Sequence, residues 1–143
     1  MQYAYPTRLD SEPDGSAINV SFPDVPEALT WGDDEAEALV MAEDCLIGAL
    51  RGYVRRGCSI PKPSPARGRP TVSLPPLVAA KLALYEAMRA QGVSREDLAA
   101  RLAMAEPAMR RLLDLDHRSH LDQLEGALRC LGKRLELTVR DAA

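Results

Sequence analysis

Arg110 and Arg111 stand side by side in the stretch Glu106-Pro107-Ala108-Met109-Arg110-Arg111-Leu112-Leu113. A guanidinium offers a rigid fork of donors that fits the paired acceptors on the major-groove edge of guanine. Ser94 and Arg95, upstream of them, carry a hydroxyl and a cation suited to phosphate oxygens. A second concentration is acidic: Asp24, Glu27, Asp33, Asp34, Glu35 and Glu37 crowd one segment. Clustered carboxylates can hold Mg²⁺, but a two-metal site needs them to converge from separate elements. Here they share one local stretch, and no acid falls within Ala17 to Phe22. A solvated acidic face is the plainer reading. His117 and His120 have i, i+3 spacing, with only Asp114, Asp116 or Asp122 to complete a metal site. A surface loop or a phosphate contact suits them better. No serine or cysteine has an evident base partner, so nucleophilic catalysis has no support. The expectation is a protein that is not an enzyme and carries no metal or cofactor.

These groups sit in two electrically different halves. The net charge is −3. Residues 1–66 hold 11 acids against 5 bases, whereas residues 67–143 hold 10 acids against 13 bases. The first half should repel nucleic acid and the second can approach it. Apolar residues make up 46% of the chain and aromatics only 4%, so a core rests on Leu, Ala, Val, Ile and Met. Cys45, Cys58 and Cys130 form no disulfide framework and no metal-binding pair, which predicts free thiols in a reducing compartment. The N-terminus lacks a signal-peptide pattern, and no apolar run approaches bilayer length. A soluble cytoplasmic protein is expected.

The elements that must position these residues follow from periodicity. Gln2 to Arg8 reads as a first strand with Tyr3 and Tyr5 on one face, and Asp10 to Ser16 as a hairpin loop. Ala17 to Phe22 alternates, with Ile18, Val20 and Phe22 on one side. Ala28 to Trp31 reads as a third short strand. Asp33 or Asp34 then caps a helix that runs to about Arg56, with Ala36, Leu39, Val40, Ile47, Leu50 and Val54 at helical spacing. Gly57 ends it. Pro61, Pro63, Pro65 and Pro70 predict a stiff, extended tether. Thr71 to Leu74 has the composition of one more strand. After Pro75 and Pro76, residues 77–91 read as a helix lined by Leu77, Ala80, Leu84 and Met88. The expected architecture is α+β. Residues 1–60 form an acidic α/β domain, 61–73 a proline-rich linker, and 74–143 an all-α domain that ends in a short strand.

Val93 to Leu113 carries the most specific local pattern. Ser94 caps a helix whose first turn includes Asp97, and Leu98, Ala99 and Leu102 share a face. A turn follows at Ala103-Met104-Ala105, then the short arginine-bearing helix. Two helices crossing steeply need a small residue at their contact, supplied by Ala99, and a small one at the turn, supplied by Ala103. Met104, Met109 and Leu112 close the core between them. Glu106, Pro107, Arg110 and Arg111 then face outward, where a helix-turn-helix protein meets the major groove. The competing reading is a plain helical hairpin. The stretch "VSREDLAARLAMAEPAMRRLLD" resembles Cro- and phage-repressor-like domains, with Ala103 in place of the usual Gly and Glu106 on the reading face as departures. Leu121 to Leu131 predicts a further helix. Arg134 to Arg140 alternates, with Leu135, Leu137 and Val139 on one side, and a lone strand seeks a partner. Pairing with a second copy predicts a homodimer or higher even oligomer through these three residues.

Taken as a whole, the chain resembles the HicB family of antitoxins. The resemblance is carried by "FPDVPEALTWGDDEAEAL" at 22–39, "IPKPSP" at 60–65, "LPPLVAAKLALYEAM" at 74–88 and "LDQLEGALRCLGKRLELTV" at 121–139. It implies an N-terminal domain with a partial ribonuclease-H-like fold that binds and blocks a small HicA-like toxin, an mRNA interferase. It also implies a C-terminal domain that binds the operon's own promoter DNA. An RNA-binding toxin presents a basic surface, so Asp24, Glu27, Asp33, Asp34, Glu35 and Glu37 become the expected toxin contacts. A stand-alone transcriptional regulator that senses a small ligand is the other reading of the same sequence.

Overall fold

The computed structural model describes residues 2–142, and the chain forms two compact units, residues 1–79 and 80–143. Among the described residues the architecture is α+β, with small antiparallel sheets and five helices. None of those helices is long and apolar enough to cross a membrane.

In the first unit, strand β1 (Ala4–Pro6) pairs antiparallel with β5 (Thr71–Ser73), setting Tyr5 opposite Val72. Strand β2 (Arg8–Ser11) opens a separate three-stranded meander with β3 (Ile18–Ser21) and β4 (Leu29–Gly32). The single strand expected over Gln2–Arg8 is therefore divided at Thr7. The Thr7 amide and hydroxyl both donate to the Pro70 carbonyl, each at 2.8 Å, and the chain leaves one sheet for the other there. Residues 8–11 consequently join the meander, and the expected loop shortens to residues 12–17. It closes through the Glu12 amide on the Ala17 carbonyl, with Gly15 at φ +74°.

Helix α1 (Glu35–Arg55) starts where the sequence places it, because Asp34 accepts from the Glu37 amide at 2.8 Å. Its buried face differs from the expected one. Ala38, Ala42, Leu46 and Leu50 turn inward, while Val40 is 69% exposed. The cause is close approach. The Gly32 backbone of β4 lies so near the first turn of α1 that a Cβ at this position would stand 2.4 Å from the Ala38 nitrogen. Only alanine-sized side chains fit at that end of the contact, and Leu46 and Leu50 fill the wider end. Val20, Phe22 and Val25 complete this core. Burying each leucine contributes about 1.5–3 kcal/mol relative to leaving it in water.

Residues 61–73 are not a free tether. Ile60 is buried, Tyr5 Oη donates to the Pro61 carbonyl at 2.7 Å, and the Ser64 amide donates to Asp24 Oδ2 at 2.8 Å. The segment then turns through Arg67 and Gly68, both at positive φ, into β5. Proline stiffens it, and the groups that fix it lie far off in sequence.

The division between the units falls in the first turn of α2 (Pro76–Gln91). The second unit adds α3 (Arg95–Leu102), α4 (Glu106–Leu113) and α5 (Leu121–Cys130). Ala80, Leu82, Leu84, Met88, Leu98, Met109, Leu112, Leu124 and Leu128 form its core. Helix α5 ends in a Schellman turn. The Gly132 amide meets the Arg129 carbonyl, the Lys133 amide meets that of Leu128 at 2.8 Å, and Gly132 takes φ +74°. The strand expected over 134–140 is absent. Leu137 is 59% and Val139 96% exposed, and Leu135 is half-buried. A strand needs a neighbour for its backbone groups, and the chain offers none at this position.

Candidate functional site

Two surfaces gather the chemistry. The first is built by α3 and α4. Ser94 caps α3 by accepting from the Asp97 amide at 3.0 Å, and Leu98 and Ala99 turn inward. The helix stops because Ala103 adopts the left-handed conformation at φ +53°. The Met104 amide then closes on the Ala99 carbonyl at 2.9 Å and the Ala103 amide on that of Ala100. This is the hydrogen-bond pattern of a Schellman turn, with alanine where glycine is usual. Helix α4 begins three residues later with Pro107 in its first turn, where its missing amide leaves no helical bond unmade. Met109 and Leu112 are buried, and Ala103 itself is exposed in the turn.

This leaves Ser94, Glu106, Pro107, Arg110 and Arg111 exposed and Arg95 half-buried. Glu106 Oε1 lies 2.9 Å from Arg110 Nη2 and 3.6 Å from Arg95 Nη2. The hydrogen bond and charge of Arg110 hold the Glu106 carboxyl below its ordinary range. Glu106 thus ties together two of the cations read from the sequence, while Arg111 extends from the same helix. The far end of α4 is held by a residue the sequence reading passed over. Lys81 is fully buried, and its ammonium donates to the main-chain carbonyls of Arg111 and Asp114 and to Ser119 Oγ, at 2.9, 2.6 and 2.8 Å. Burial draws its pKa down, opposed by the charges of Asp114 and Asp116. The signal was present as a lone cation within the apolar run Val78-Ala79-Ala80-Lys81-Leu82-Ala83-Leu84. His117 and His120 are both exposed, His117 Nδ1 lying 3.2 Å from Ser119 Oγ.

The second surface belongs to the first unit. Asp33, Asp34, Glu35 and Glu37 are exposed at the start of α1, with Asp34 engaged as its cap. Asp24 is turned to an internal task, since both its oxygens accept from Ser64. Glu27 Oε2 accepts from Tyr53 Oη at 2.7 Å, which lowers the carboxyl's pKa and pushes the phenol up to about 12. The sequence reading missed the apolar groups beside these acids. Leu29 and Trp31 on β4 are 67% and 57% exposed. Among the described residues no group of three or more His, Cys, Asp or Glu converges as a metal site.

The family model for HicB-like antitoxins of bacterial toxin-antitoxin systems matches residues 4–83, which include all five strands and α1. The chain belongs to the HicB-like antitoxin family. An antitoxin HicB of Photorhabdus laumondii, antitoxin HicB 2, is 39% identical over 133 residues, 93% of this chain and 94% of the relative. Antitoxin HicB of Escherichia coli K12 is 35% identical over 136 residues, 94% and 98% of the two chains. That of Pseudomonas fluorescens is 33% identical over 144 residues, 99% and 97%. The likeness to these HicB antitoxins thus runs through α3, α4 and α5 as well as the first unit. Membership gives the chain an antitoxin role in a toxin-antitoxin system, and that role implies a toxin partner.

Proposed function

We propose that this antitoxin neutralises a small, basic, HicA-like mRNA interferase through its acidic first unit and represses its own operon through α3 and α4. The observation that carries the DNA half is the outward placement of Arg110 and Arg111 on a short helix whose other face, Met109 and Leu112, is buried. On this reading α3 and α4 form a helix-turn-helix of the Cro type. Helix α4 enters the major groove, Arg110 and Arg111 read bases, and Ser94 and Arg95 meet phosphates. Glu106 restrains affinity by occupying Arg110 and Arg95. The first unit, with its meander, long helix and returning strand, is read as a partial ribonuclease-H-like fold. Its excess of 11 acids over 5 bases across residues 1–66 suits a partner that binds RNA. Residues 134–140, extended and unpaired in the single chain, pair with a second copy through Leu135, Leu137 and Val139. The protein works without a cofactor in the cytoplasm, where Cys45, Cys58 and Cys130 stay as the free thiols they are here.

A fragment spanning the promoter upstream of the gene tests the DNA half. The double change Arg110→Ala, Arg111→Ala should weaken binding and reduce the log–log salt slope by about 2, or about 1 per lost phosphate or base-edge cation. Glu106→Gln should tighten it. An unchanged affinity and slope in the double variant would remove α4 from the interface. Co-expression with the product of the adjacent reading frame should relieve growth arrest and yield a co-purifying complex. Truncation after Lys133 should give a monomer by light scattering.

A further inference from the structure

The solvent face of β4 alternates strictly. Glu27, Leu29, Trp31 and Asp33 are exposed, whereas Ala28 and Gly32 are buried and Thr30 is half-buried. Two large apolar side chains thus stand in water between two carboxylates. Cross-strand register extends the face, with Trp31 beside Asn19 and Asn19 beside Asp10, and Leu29 beside Ser21 and Ser21 beside Arg8. The cation on this face, Arg8, is paired with Asp10 at 3.2 Å. Strand β4 is also the edge of its sheet. Exposed apolar groups on an edge strand invite association unless something covers them.

We propose that Leu29 and Trp31 are the anchor of a docking surface for a basic protein, with Glu27 and Asp33 as its charged rim. The inference rests on the toxin reading above and identifies where that toxin is gripped. It also moves the weight of the interface from the carboxylates to the indole. Aromatic side chains at the centre of a contact carry most of the affinity, while rim charges steer encounter and set orientation. Charge argues against a second copy of this chain as the occupant. Antiparallel self-pairing of β4 about Thr30 would set Glu27 of one copy opposite Asp33 of the other, and like charges directly opposed are unfavourable. A partner with lysine or arginine on either side of an apolar contact satisfies both ends of the strand.

Trp31 is the single tryptophan of the chain, so it reports on its own burial. The probe is the protein encoded beside this gene, purified and added to the full-length antitoxin. If that protein carries tryptophan, Trp31 is replaced in the chain by 5-hydroxytryptophan, which is excited selectively. Binding should shift Trp31 emission to the blue and protect it from iodide quenching. Trp31→Ser should weaken the complex at least tenfold and Leu29→Ser about fivefold, with thermal midpoints unchanged. Glu27→Gln with Asp33→Asn should slow association and flatten its salt dependence more than it speeds dissociation. Wild-type binding with Trp31 still fully quenchable, or full affinity in Trp31→Ser, would overturn the proposal while leaving the toxin reading intact. A blue shift that grows with antitoxin concentration alone would overturn it in favour of self-association. Absence of any binding by the unaltered chain would overturn the toxin reading itself, and this proposal with it.

Discussion

The ammonium of Lys81 donates to the main-chain carbonyl of Asp114 at 2.6 Å from a fully buried side chain. With the Arg111 carbonyl and Ser119 Oγ as its other acceptors, it binds the end of α4 to the loop that leads into α5. Burying a cation is costly, and three oxygen partners offset that cost. Lys81→Met keeps the apolar stem and removes the donors, leaving acceptors buried without a partner. It should destabilise the fold by about 1–3 kcal/mol. Urea denaturation measures the loss, and hydrogen exchange should show faster exchange around Ser119. An unchanged midpoint would mean that water replaces the ammonium without penalty.

Ala103 lies at φ +53°, at a position where the Schellman turn prefers glycine. An L-residue in the left-handed region costs about 1–2 kcal/mol, part of which glycine returns through its larger unfolded-state entropy. Ala103→Gly should therefore stabilise the second unit by about 0.5–1 kcal/mol. A lower denaturation midpoint in the variant would show that the alanine methyl makes a compensating contact.

Gly32 should tolerate no side chain at all. Its φ is not positive, so the obstacle is space. A Cβ would meet the nitrogen and Cα of Ala38 at 2.4 and 2.7 Å and the Glu37 carbonyl carbon at 2.9 Å. These are backbone atoms of a helix and cannot swing aside. Gly32→Ala should force α1 away from β4 and cost about 1–3 kcal/mol, as overpacking does. Thermal unfolding checks this, and a variant as stable as the parent would contradict the packing described.

The Tyr53–Glu27 pair gives a pH signature with a limb at each end. The phenol is held protonated to about 12 instead of 10.0, so its contribution is complete below pH 10 and is lost as pH rises towards 12. The Glu27 carboxyl is lowered from 4.5, so its contribution is complete above that value and is lost as pH falls through the lower folded one. Tyr53→Phe should remove the slowest-titrating tyrosinate from the alkaline absorbance curve. It should also flatten the pH dependence of the thermal midpoint at both extremes. A retained late step in the variant would assign that shift to another tyrosine.

Short-range features were legible in the sequence because neighbouring residues decide them. Asp34 and Ser94 cap their helices by reaching amides three positions on, and the α3–turn–α4 boundaries follow from Ser94, Ala103 and Pro107. Long-range choices were not. The period of α1 was readable, but which side faces inward depended on Gly32, which leaves room only for Ala38 and Ala42. Thr7 ends one strand and begins another because of Pro70. The proline segment is docked because Asp24 and Tyr5 reach it from distant parts of the chain. Lys81 looked like an ordinary helical lysine until three oxygens from α4 and the following loop surrounded it. Residues 134–140 alternate as a strand does yet stay unpaired, since alternation supplies a face and only a neighbouring chain supplies the hydrogen bonds. Local sequence fixes periodicity and caps through contacts within a turn or two. Phase, pairing and burial depend on side chains brought together from far apart, and tertiary structure alone decides them.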